Sequence, residues 1–181
     1  MKKLSLKDSL FLGFCAALLV ITKAAFRWHL GISGHAMFFT TFFLLLSRGC
    51  VPFRGAASVT GLMAGIAAAA LGMGKGGPLV IGKFLLPALA VDLGVMVLPR
   101  VLGSCLLCAL VGALAGATKF FGTVAIDLLV GMDPAIAWRH SFLEGLAAMA
   151  FGAAGGLIVP PVLRRLRAYG VLNHQIGEKP S

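Results

Sequence analysis

Apolar stretches long enough to cross a bilayer follow one another from near the N-terminus to about residue 160, and this repetition constrains the fold more than any single motif does. A helix spanning the hydrocarbon core needs about 20 apolar residues, within a range of about 17–25. The first stretch covers about 8–26 and the second, which is shorter, about 34–48. Four more follow at about 55–73, 79–98, 101–121 and 134–159. Asp133-Pro134 has the residue types of an N-cap followed by a first helical position. Pro160-Pro161 is expected to end the last helix, because neither residue can donate a backbone hydrogen bond. The expected fold is an all-α integral membrane protein: a bundle of six transmembrane helices in a single domain over 1–181, with a basic tail from about 163.

Composition removes the competing fold classes. The chain is 59% hydrophobic and 12% charged, whereas a soluble domain is about 45–50% apolar and about 25% charged. A domain of 181 residues still exposes a large surface to its solvent, so this excess of apolar residues calls for lipid as that solvent. A soluble enzyme and a disordered chain are both excluded. The net charge of +10 could suggest nucleic acid, but no basic stretch interleaved with aromatics is present, and no nucleic-acid partner is expected. The four cysteines, Cys15, Cys50, Cys105 and Cys108, lie in or beside apolar runs without a pair of spaced CxxC motifs. They read as small packing residues rather than a zinc or disulfide framework, and no cofactor is expected. Lys2, Lys3 and Lys7 precede the first apolar run as in a signal peptide, yet no A-x-A site follows and Lys23 and Arg27 interrupt the region where one would be cleaved. The segment is therefore read as a retained first helix.

In a membrane protein the basic residues report orientation. With the N-terminus in the cytoplasm, ten of the 16 Lys and Arg residues fall on the inner side: Lys2, Lys3, Lys7, Arg48, Arg54, Arg100, Arg164, Arg165, Arg167 and Lys179. Lys23, Arg27, Lys75, Lys83, Lys119 and Arg139 fall on the outer side or in the outer halves of helices. The expectation is a multi-pass protein of the cell (inner) membrane with both termini cytoplasmic.

Small residues recur at intervals of four: Ala57, Gly61, Gly65 and Ala69, then Gly112 and Gly116, then Ala148, Gly152 and Gly156. Lipid gives no hydrophobic drive between helices, so close backbone approach has to supply the attraction. These three sets read as packing within the bundle. Gly13 and Ala17 on the first helix suit either internal packing or docking of a partner membrane protein.

Ionisable residues within a membrane are costly and are functional candidates for that reason. His35 opens the second segment, Lys83 lies early in the fourth, and Trp138, Arg139, His140 and Glu144 lie early in the sixth. Arg27, Trp28 and His29 fall in the first loop, Lys75 in the Gly74–Pro78 loop, and Asp127 and Asp133 in the fifth loop. In the expected orientation most of these share the outer third of the bundle, where a few polar groups and aromatic walls make a small-ligand pocket. Arg27, His35, Lys75, Lys83, Trp138, His140 and Glu144 are the candidate substrate-binding residues. The two lysines suit a carboxylate, a phosphate or an electron-rich ring, and Glu144 suits a ring N–H or amine. Asp92 sits nine residues after Lys83, about half a revolution away, and is expected to pair with an inner residue or a neighbouring helix. No Walker, H-E-x-x-H or G-x-S-x-G motif is present, and the chain is not expected to be an enzyme.

The run Pro52-Phe53-Arg54-Gly55-Ala56-Ala57, leading into Gly61 and Gly65, then Gly72 to Gly77 and the fourth segment, is similar to the stretch between the second and fourth helices of substrate-binding S components of energy-coupling factor transporters. The six-segment architecture and the small-residue first helix resemble the same family. The resemblance implies a subunit that binds a vitamin or related water-soluble micronutrient from outside. Its partners would be a transmembrane coupling subunit and a pair of ATPase subunits. It implies that Gly13 and Ala17 dock the coupling subunit, in place of the family's usual Ala-xxx-Ala. Metal-transporting members begin Met-His, and this sequence begins Met1-Lys2-Lys3, which disfavours a metal cargo. The competing readings are a stand-alone small permease and a non-transport membrane protein, either an assembly subunit or an enzyme acting on lipid.

Overall fold

The computed structural model describes residues 5–27, 35–73, 79–98, 100–129 and 131–169. These residues form six α-helices: α1 (Leu6–Arg27), α2 (His35–Cys50), α3 (Ala56–Ala70), α4 (Val80–Val97), α5 (Cys105–Leu129) and α6 (Pro134–Ala168), with a 3-10 turn at Val101–Gly103 before α5. No strand occurs among the described residues. Four of the helices, α1, α4, α5 and α6, are long and apolar enough to cross a membrane. At 16 and 15 residues, α2 and α3 are shorter than that.

Local chemistry sets several boundaries. Asp133 caps α6 by accepting from Ala135 N at 2.9 Å, with Pro134 at the first helical position. α3 ends where Gly72 turns left-handed at φ +63°, its N–H and that of Met73 returning to the carbonyls of Ala69 and Ala68. Gly131, at φ +85°, closes α5 in the same way, with Met132 N bonded to Asp127 O.

Two helix boundaries depart from the sequence expectation. α5 begins at Cys105 and runs to Leu129 instead of covering 101–121. Its stop is the Gly131 turn, and the polar residues after 121 lie on its face against α6. α6 does not end before Pro160-Pro161; it continues to Ala168, so the basic tail from about 163 starts inside a helix. The continuation is held by packing and a hydrogen bond. Val159, Pro160 and Leu163 are buried, Leu163 fills the space beside Gly49 of α2, and Arg164 Nη2 donates to Gly103 O at 3.0 Å. Neighbouring helices of this kind are what let prolines stay within membrane helices.

The helices meet where the small residues fall. Gly112 and Gly152 each face the other's backbone carbonyl, Gly116 faces Ala148 O, and Gly156 faces Cys108 O, which draws α5 onto α6. Gly61 and Gly65 face Phe84 O, Ala88 and Ile81 and draw α3 onto α4. The outward surface is strongly apolar, with Leu93, Met96, Leu106, Leu110, Leu114 and Leu143 all exposed. An apolar surface this extensive is uncommon on a water-soluble monomer and is compatible with a membrane protein.

Candidate functional site

The C-terminal parts of α1 and α5 and the N-terminal parts of α4 and α6 bring a polar group together in this apolar bundle. On α5, Lys119, Thr123 and Asp127 recur every four residues and so share a face. On α6, His140 and Glu144 do the same. The two faces meet: Lys119 Nζ stands 3.4 Å from Glu144 Oε2, and His140 Nδ1 stands 3.5 Å from Asp127 Oδ2. His140 Nε2 is 4.0 Å from Glu144 Oε1, so a protonated imidazole would bridge the two carboxylates. Asp127 Oδ2 is buried without a hydrogen-bond donor among the described residues, which leaves an acceptor facing the group.

Lys83 of α4 is half-buried and within electrostatic reach of Glu144, Asp127 and Lys119. Lys23 of α1 directs its ammonium inward, 3.8 Å from the centre of the fully buried Phe84 ring, and lies within reach of Lys83 and Lys119. That position is not the outward snorkelling available to a long basic side chain. A charged group at the centre of a membrane helix costs about 2.5–3.5 kcal/mol on insertion scales. Among the described residues, His, Cys, Asp and Glu form no cluster that could hold a metal ion.

Of the candidate residues, Lys83, His140 and Glu144 belong to this group. His35 is half-buried at the first position of α2. Arg27 closes α1, but its side chain lies outside the described set, as does Lys75 with its whole loop. Trp138 faces elsewhere. It is 56% exposed, meets Phe120 edge-on at 5.4 Å, and lines an apolar groove of about 370 Å³ between α5 and α6 with Phe121, Phe142, Leu146 and Met149. Gly13 is half-buried, with Met63 of α3 lying 3.5 Å from where a Cβ would stand, and Ala17 is exposed beside Phe14 and Ile21. Lys23, Lys119 and Asp127 join the group without having been among the candidates. Their signal in the sequence was a charge inside or closing an apolar run.

Asp92 lies apart from this group. It is buried at the other end of α4, accepts from Ala57 N at 3.3 Å and Ser58 N at 2.8 Å at the start of α3, and faces Arg48 Nε at 3.4 Å. It thus ties α2, α3 and α4 together, as its spacing from Lys83 led one to expect.

Compared with known proteins, the chain matches no family model, and no curated protein or solved structure matches it.

Proposed function

We propose that this chain is the membrane-embedded substrate-binding subunit of an ATP-driven importer of the energy-coupling factor type, taking up a vitamin or related small water-soluble micronutrient. The observation that carries the reading is the gathering of Lys23, Lys83, Lys119, Asp127, His140 and Glu144 from four helices at one end of an apolar bundle. Such groups are costly in a membrane, and in a chain without a catalytic motif their convergence makes most sense as recognition of a polar ligand.

In this reading the bundle spans the membrane six times with both termini cytoplasmic, and the polar group faces outward. Arg27, Lys75 and His35 contribute to ligand binding in the same reading. The exposed line of Leu10, Phe14, Ala17 and Ile21 on α1, beside Gly13, receives the transmembrane coupling subunit, to which a pair of ATPases attaches. Rotation of the whole bundle against that partner would carry an enclosed ligand inward without opening a pore. Membrane lipid covers the remaining apolar faces.

Native mass spectrometry of the detergent-purified protein, followed by identification of whatever denaturation releases, tests the reading. A water-soluble metabolite bound one to one is expected. Phospholipid as the sole bound species would overturn the reading in favour of a non-transport membrane protein.

A further inference from the structure

The chain has six acidic residues in all, and their placement leaves the polar group short of negative charge. Asp8 lies in the first turn of α1 and accepts from Ser5 N. Asp92 is engaged with Arg48 and the start of α3. Asp133 caps α6. Glu178 belongs to the last residues of the chain, outside the described set. Asp127 and Glu144 remain for the polar group, the first beside His140 and the second beside Lys119. Against them stand three ammonium groups, on Lys23, Lys83 and Lys119. Among the described residues neither Lys23 nor Lys83 forms an ion pair.

Phe84 holds Lys23 in place through its ring face, but a cation–π contact does not neutralise a charge. The two lysines come from α1 and α4, and α1 otherwise packs on α2 and α3. An anion between them would both supply the missing charge and tie α1 to the far side of the bundle.

We infer that Lys23 and Lys83 form the seat for an anionic group, a carboxylate or a phosphate, on the ligand of this site. The inference rests on the binding-site reading above and narrows it: the ligand carries a negative charge, and Lys23 is a binding residue. An uncompensated ammonium is a burden on the empty protein. Removing it should therefore leave the empty protein as stable as before, or more stable, while abolishing the response to anions. A purely structural lysine would behave in the opposite way.

The test uses the full chain in nanodiscs of phosphatidylcholine, with inorganic phosphate as probe against chloride at matched ionic strength. Phosphate is expected to raise the thermal midpoint saturably. Lys23→Met and Lys83→Met should each weaken that response about 10- to 100-fold in phosphate concentration, the loss expected for one charged hydrogen bond. Lys23→Arg should retain most of it. An equal response to phosphate and chloride, or an unchanged phosphate response in both Met variants, overturns the inference. Nanodiscs of phosphatidylglycerol separate the two sources of such an anion. A lysine-dependent rise with that lipid, and none with phosphate, would assign the seat to a headgroup and overturn a soluble anionic ligand. The two readings fail separately. A neutral or cationic metabolite found by native mass spectrometry overturns the anion seat and leaves the importer subunit standing. A lysine-dependent phosphate response with phospholipid as the sole species bound in native mass spectrometry does the reverse.

Discussion

At the residue scale, the two ends of the bundle handle buried charge differently. Lys119 and Glu144 form a pair whose side chains keep 28% and 22% of their exposure. Lys119→Met removes the ammonium that stands 3.4 Å from the Glu144 carboxylate. The expected loss is about 1–3 kcal/mol, the scale of a charged hydrogen bond removed from a half-buried group. Adding Glu144→Gln to Lys119→Met should restore most of it, because the carboxylate that lost this ammonium is then neutral. Thermal melting of the single and double variants in detergent checks this, and a double variant no more stable than the single one would contradict it. Asp92 is a stricter case. Its side chain is 7% exposed, and it serves Arg48 and two backbone amides at once. Asp92→Asn keeps the shape but strands the Arg48 charge, and should cost about 3–5 kcal/mol, as breaking a buried pair does. The drop in melting temperature should exceed that of Lys119→Met.

At the scale of elements, the small residues decide which helices touch. A Cβ on Gly152 would meet the Gly112 carbonyl, and the α5 backbone cannot move away without losing contact along the whole pair. Gly152→Ala should therefore destabilise by about 1–3 kcal/mol through overpacking, whereas Gly13→Ala, with 3.5 Å to the nearest side-chain atom, should leave stability unchanged. If Gly13→Ala nonetheless weakens capture of a coupling subunit, the first helix is a docking face. The four-residue spacing of these glycines was legible in the sequence, because a repeat matching the helical period needs no tertiary knowledge. The end of α5 was not. The sequence expectation closes the segment at 121, while the physical stop is the left-handed turn at Gly131, so Asp127 falls in the expected fifth loop with the outer polar residues but outside the binding candidates. Trp138 lies apart from the polar group for a geometric reason. It stands two residues before His140, close in sequence, but two residues along a helix turn about 200°, and the indole points into the outer α5–α6 groove. Pro160-Pro161 misled as well, since packing against α2 and a bond to Gly103 hold the helix together beyond the prolines.

At the scale of the whole molecule, charge is divided between two ends, and that division predicts an orientation. Arg54, Arg100, Arg164, Arg165 and Arg167 cluster where α2 ends and α3 and α5 begin and where α6 finishes, and all five are exposed. Lys23, Lys83, Lys119, Asp127, His140 and Glu144 occupy the opposite end. Basic residues near helix ends are retained on the cytoplasmic side, which predicts the arginine end inside and the Lys23–Lys83 group outside. The chain's own cysteines provide the reporter. Cys105 is exposed at the arginine end, while Cys15 and Cys108 are buried and Cys50 is half-buried. Met132 is exposed at the other end, beside the cap of α6. In intact cells a membrane-impermeant maleimide should therefore leave the natural protein unlabelled and react with it only after permeabilisation. A Cys105→Ser, Met132→Cys variant should label without permeabilisation. The reverse pattern would turn the molecule over and place the polar group in the cytoplasm, where it could not take a ligand from outside. Labelling of both positions from one side would contradict a crossing of the membrane by α5, which lies between them.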